Sequence, residues 1–92
     1  MKTPDRSELQ PASLAELCMG YLAENPAELV SFMGYAGYDP AALRAAMGST
    51  QLSNGLIDYF ASNETILLAL CANAQLKPES FMRVWHKLNP AG

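Results

Sequence analysis

The sequence predicts an all-α fold, a compact bundle of about six short helices, and three observations carry that prediction. Apolar residues recur at helical spacing along most of the chain, and no segment alternates as a strand does. Asn-Pro, Asp-Pro and Gly positions punctuate these stretches at short intervals. A faint internal duplication runs at an offset of 38 residues: Cys18–Met47 laid on Leu56–Trp85 matches Tyr21/Tyr59, Ala23/Ala61, Asn25/Asn63, Leu29/Leu67, Ala36/Ala74 and Pro40/Pro78. Other pairs exchange one apolar residue for another, as at Leu22/Phe60, Phe32/Leu70 and Met47/Trp85. The shared positions fall at helix starts, stops and inward faces. They predict one domain over residues 1–92: a flexible N-terminal tail at 1–6, then tandem three-helix units at 7–48 and 49–90. Neither unit could bury its apolar stripe alone, so the two share one core.

The first helix is expected to begin near Ser7 or Ser13 and run to about Glu24, with Leu14, Leu17, Cys18, Tyr21 and Leu22 as its inward stripe. Ser13 and Glu16 have the spacing of a capping box. Gly20 lies within this helix, where glycine costs about 1 kcal/mol relative to alanine, so close approach of another backbone is its expected reason. Asn25-Pro26 reads as a cap followed by proline at the first helical position. The second helix then carries Leu29, Val30, Phe32, Met33 and Ala36 until Gly37 stops it. Asp39-Pro40 repeats the device for a short third helix, with Leu43, Ala46 and Met47 inward and Gly48 closing it.

The fourth helix, about Gln51–Ser62, presents Leu52, Leu56, Tyr59 and Phe60. Asn63-Glu64 restarts the chain, with Asn as cap and an acid on the positive helix end. The fifth helix, Glu64–Ala74, is apolar almost all round, which predicts burial on every side and a central position. Lys77-Pro78-Glu79 opens the sixth, with Phe81, Val84, Trp85 and Leu88 inward and Asn89-Pro90 ending it.

Half of the residues are hydrophobic and 16% are charged, the balance of a folded domain rather than a disordered one. The longest unbroken apolar run, Ile66–Ala72, is far shorter than the roughly 20 residues a bilayer crossing needs. The charged start, Met1-Lys2-Thr3-Pro4-Asp5-Arg6, has no apolar stretch behind it, so no secretory signal is expected and a cytoplasmic location follows. Cys18 and Cys71 read as small buried hydrophobes kept reduced. The net charge of −3 is uneven. Residues 7–43 hold Glu8, Glu16, Glu24, Glu28 and Asp39 with no Lys or Arg, whereas Lys77, Arg83 and Lys87 face only Glu79 near the other end. Two explanations fit: solvated faces of opposite sign, or two surfaces attracting each other within the fold.

Groups that could carry a reaction are few. His86 is the single histidine, no acid has a His or Cys partner at ligand spacing, and no glycine-rich phosphate loop follows a strand. No catalytic, cofactor-binding or metal site is expected, and the chain reads as non-enzymatic. The turn Ala36-Gly37-Tyr38-Asp39-Pro40 has a helix-turn-helix outline, but its following helix carries one cation, Arg44. Arg83 and Lys87, one helical turn apart, form the better basic surface, though three or four cations make a thin phosphate footprint.

The segment Phe32-Met33-Gly34-Tyr35 resembles the Met-Gly-Phe/Tyr loop of ubiquitin-associated domains, and the likeness continues through Ala42-Leu43 and Leu56-Ile57-Asp58-Tyr59-Phe60. That resemblance implies an exposed contact patch at Met33, Gly34 and Tyr35. The internal duplication instead makes Met33 an inward residue equivalent to Cys71. Over nearly its whole length, 7–90, the chain is similar to a family of uncharacterised small helical proteins of alphaproteobacteria, known only as a domain of unknown function. The carrying residues are Leu22-Ala23, Asn25-Pro26, Phe32, Gly37-Tyr38-Asp39-Pro40, Leu43-Arg44, the Leu56–Phe60 block, Asn63-Glu64 and Leu76-Lys77-Pro78. This likeness implies a bacterial, cytosolic, single-domain protein and supplies no activity.

The expected function is therefore protein–protein interaction through one of two strips: the turn bearing Met33, Gly34, Tyr35 and Tyr38, or the last helix with Met82, Arg83, His86 and Lys87. The partner is an unknown protein or a second copy of the chain. The alternatives are nucleic-acid association through the basic last helix and homodimerisation as a structural role.

Overall fold

A computed structural model of the chain describes residues 9–90. It contains α1 (Pro11–Ala23), α2 (Pro26–Ala36), α3 (Pro40–Ala46), α4 (Thr50–Ala61), α5 (Glu64–Ala74) and α6 (Pro78–Leu88), and the described residues include no strand. The tail expected at 1–6 and the alternative start at Ser7 lie outside the described residues. The radius of gyration is 12.9 Å. A compact domain of this length has about 12 Å, so the bundle is closed and not an extended solenoid.

Local chemistry sets the breaks. Proline occupies the first turn of α1, α2, α3 and α6, where its missing N–H leaves no bond unmade. Asp39 accepts from the Ala42 amide at 2.7 Å, and Ser49 accepts from the Leu52 amide at 3.1 Å. Gly37 ends α2 at φ +81°, and both its amide and that of Tyr38 donate to the Met33 carbonyl at 2.9 Å. Gln75 ends α5 in the same left-handed conformation, at φ +55°, with the Leu76 amide on the Cys71 carbonyl.

Three helix starts differ from the sequence reading. α1 begins at Pro11, which places Ser13 inside the first turn and leaves no capping box. Asn25 and Asn63 make no side-chain cap bond to the following helix. Their amides instead reach back one turn, donating to the Tyr21 carbonyl at 2.8 Å and the Tyr59 carbonyl at 3.0 Å. Each therefore seals the end of the helix behind it by bonding a carbonyl of its last turn.

The core is organised around α4, which contacts α1, α2, α5 and α6. Leu52, Leu56, Ile57, Tyr59 and Phe60 of α4 are all buried. An aromatic chain crosses the interior from this helix: the Tyr21 and Phe60 rings meet edge-on at 5.7 Å, as do Phe32 and Tyr59 at 5.4 Å, and Phe60 continues to Phe81 at 6.5 Å. Leu14, Cys18 and Leu22 of α1 lie fully buried in the same cluster.

The expectation that α5 is central is overturned. Ile66, Leu67, Leu70 and Cys71 face the core, but Leu68 is 47% exposed and Ala72 lies in solvent. Its outer side also carries Glu64, Thr65 and Asn73, so the helix has a solvent face despite its apolar run. Val30, expected inward, is 68% exposed, because α2 buries fully only Phe32. Met47, also expected inward, lies beyond the end of α3 and is 53% exposed. Leu17 stands at the margin of α1, outside the buried cluster. Gly20 has no atom within 4 Å of where its Cβ would stand, so no backbone among the described residues explains it.

Candidate functional site

The first sequence-predicted strip and the last helix meet at Asp58, a residue that neither strip contained, through Tyr35 and through Trp85, which was expected to face inward. Asp58, in α4, lies between buried Ile57 and buried Tyr59. Its carboxylate accepts from the Tyr35 hydroxyl at 2.6 Å through Oδ2 and from the Trp85 indole N–H at 3.1 Å through Oδ1. One side chain of the central helix thus ties the C-terminal end of α2 to α6. The Tyr35 ring rests against Tyr59 at 5.1 Å, and the Trp85 ring meets His86 edge-on at the same separation.

The first strip lies in the last two turns of α2 and the residues that follow. Met33 is half-buried and packed against the core, Gly34 is exposed, and Tyr35 is 55% exposed. Met33, Gly34 and Tyr35 are helical rather than part of a loop. Tyr38 turns inward, half-buried against Phe32 at 6.2 Å. The second strip is split by the amphipathicity of α6. Phe81 and Val84 are buried, Met82 and Trp85 are half-buried against the core, and Arg83, His86 and Lys87 are exposed. The resulting surface brings together Tyr35, Asp58, Trp85 and His86, with Arg83 and Lys87 on the outer side of α6. Gly34 and Tyr38 do not join it through any side-chain contact.

Electrostatics at this surface follow from the shared carboxylate. The hydrogen bond to Asp58, reinforced by desolvation and the carboxylate charge, raises the Tyr35 hydroxyl above the usual tyrosine range. Burial raises Tyr59 as well, with Glu28 adding to the effect. Among the described residues no ion pair engages Arg83, Lys87 or Lys77, so the basic end and the acidic helices are not joined by salt bridges.

Other chemistry-bearing groups are dispersed. Cys18 and Cys71 are free thiols buried in α1 and α5; burial pushes both pKa values up, with Cys71 adding to the shift at Cys18 and Glu79 to that at Cys71. The described residues hold no cluster of three or more His, Cys, Asp or Glu that could bind a metal ion. No described helix is long and apolar enough to cross a membrane. A groove between α1 and α5 is lined by Glu16, Leu17, Gly20, Tyr21, Glu24, Leu70, Asn73 and Ala74, and a second, on the other side of α1, includes Met19, Met47 and Leu52.

Asp58 carried no sequence signal as a site residue because its partners lie 23 and 27 positions away. The available hint was a lone acid inside the helix that became the most buried. No curated protein and no solved structure matches the chain. In keeping with the full-length resemblance drawn from its motifs, residues 8–91 match the family described as Protein of unknown function (DUF3572), and the chain belongs to that family.

Proposed function

We propose that the chain is a non-enzymatic protein–protein interaction module, acting in the cytoplasm, whose contact face is the surface where α2, α4 and α6 meet. The observation that supports this most is the carboxylate shared by two aromatics. Asp58 holds Tyr35 and Trp85 before any partner arrives, so docking on them loses little side-chain freedom. Tyrosine and tryptophan are among the residue types that dominate binding energy at interfaces, and Asp58 brings Tyr35 and Trp85 together on this surface. The cations Arg83 and Lys87 have no ion-pair partner among the described residues and are free to meet acidic groups on the rim of a partner.

The test is affinity capture from lysate of the source organism, run in parallel with wild-type protein and with Arg83→Glu/Lys87→Glu, and eluted in a salt step. The expected result is one dominant protein retained by the wild type and lost by the double variant. A second reading, nucleic-acid association, is favoured by the same two cations, unpaired among the described residues. It predicts elution at moderate salt, with log affinity falling against log salt at a slope of roughly −2 for two phosphate contacts. Nucleic acid released in that way, without an enriched protein, would replace the first reading by the second. A molar mass that doubles with concentration in light scattering would favour self-association instead.

A further inference from the structure

We infer that the groove between α1 and α5 is a second docking surface, built to receive a cationic amphipathic helix from a partner protein. Gly20 is the starting point. It lies in the middle of α1, exposed, in ordinary helical conformation, where alanine would be the better helix former. Among the described residues, nothing beyond its own stretch of helix lies within 4 Å of where its Cβ would stand, so no packing among them calls for glycine. A mid-helix glycine over open space allows another backbone to come nearer than any side chain would permit.

The surroundings of Gly20 define what that backbone should carry. Leu17 and Tyr21 flank it on α1, Leu70 closes the far side from α5, and the space between them is ≈ 290 Å³. Leu17 is 38% exposed although it belongs to the apolar stripe of α1, so the floor of the groove offers apolar surface that the described residues leave uncovered. Glu16 and Glu24 lie on the same groove, both exposed, and no ion pair engages either among the described residues. They stand eight positions apart, which is about 12 Å along the axis.

An occupant that fits these features is a helix with a short apolar stripe and Lys or Arg about two turns apart, laid along α1 with its backbone over Gly20. The exposed side of α6 from a second copy supplies cations but lacks the apolar stripe, because Phe81 and Val84 are already buried. A second copy of α1 would set like charges against Glu16 and Glu24. The chemistry therefore points to a different protein. This surface is separate from the Tyr35–Trp85 face and does not depend on it.

The test is amide NMR of the full chain titrated with a synthetic amphipathic helix of leucines at helical spacing and lysines two turns apart. Saturable shifts confined to α1 residues 16–24 and to α5 around Leu70 are expected. Gly20→Ala should raise the melting temperature of the free chain yet weaken peptide binding about tenfold, and Glu16→Lys/Glu24→Lys should abolish binding. Tyr35→Ala should leave the affinity unchanged. Absence of saturation at about 1 mM peptide overturns the inference. So do shifts centred on Tyr35 and Trp85, unchanged affinity in a stabilised Gly20→Ala chain, or the same α1 shifts produced by raising the protein concentration alone.

Discussion

Asp58 accepts two hydrogen bonds from helices on either side of its own, so its loss should be felt at both. Removing an acceptor at a partly exposed site costs less than in a dry core, because water replaces part of the bonding. Asp58→Ala is expected to lower unfolding free energy in urea by about 1–2 kcal/mol, and Tyr35→Phe by less than about 1 kcal/mol, since the contact of its ring with Tyr59 survives. A double-mutant cycle between the two positions should give a coupling near the Tyr35→Phe value; additivity would mean that the 2.6 Å bond contributes nothing in solution. The alkaline side gives an independent reading. Tyr35 has a folded pKa raised above its unfolded value, so its contribution is fully present below the unfolded pKa and is lost as pH rises through the folded one. Wild-type stability should fall across that window more steeply than that of Tyr35→Phe, with Tyr59 supplying the same sign of slope in both proteins. None of this was visible in a linear reading: periodicity finds faces of a helix, whereas a bond spanning 23 residues depends on how helices pack.

At the scale of the element, the chain shows where local chemistry suffices. The Asp39-Pro40 and Lys77-Pro78 starts and the Gly37 stop were legible because caps and prolines act within one turn of themselves. Asn25 and Asn63 marked the right junctions for the wrong reason, sealing the helix behind instead of opening the one ahead. The rank of helices in the core was not legible. Apolar content favoured α5, yet α4 is the central helix, because Leu52, Leu56, Ile57, Tyr59 and Phe60 give it a broad buried face that four other helices contact. The comparison of α2 with α5 yields a further prediction. Both end in a left-handed residue, glycine at position 37 and glutamine at position 75. A non-glycine residue there is strained by roughly 1–2 kcal/mol, part of which glycine returns through unfolded-state entropy. Gln75→Gly should therefore raise the melting temperature, by the equivalent of about 0.5–1 kcal/mol, and Gly37→Ala should lower it by a similar amount. A Gln75→Gly chain no more stable than wild type would mean that the glutamine side chain makes up for its own backbone cost.

Across the whole molecule, the first three helices and the last three share one core. The α1 helix of the first half packs chiefly on α4 of the second, and α2 also rests on α4. Leu14, Cys18, Leu22 and Phe32 therefore sit in one cluster with Leu56, Phe60, Cys71 and Phe81. Cutting between the halves would uncover both sides of that cluster, so neither half has a core it could keep alone. The whole should open in one cooperative step, and the thiols supply a direct test. Cys18, in the first half, and Cys71, in the second, are both buried and both have pKa values raised by burial, which disfavours the reactive thiolate in the native state. Their labelling by a thiol reagent should then require global unfolding and be slowed about a thousandfold or more relative to the denatured chain. Cooperativity makes the expectation sharper: the two protection factors should agree, fall together as urea is added, and give the same free energy as the equilibrium transition. If Cys71 labels well before Cys18, α5 and α6 open independently of α1, and the core holds two units of stability. Equal protection would mean that Cys18 and Cys71, in the first and last halves of the chain, belong to a single folding unit.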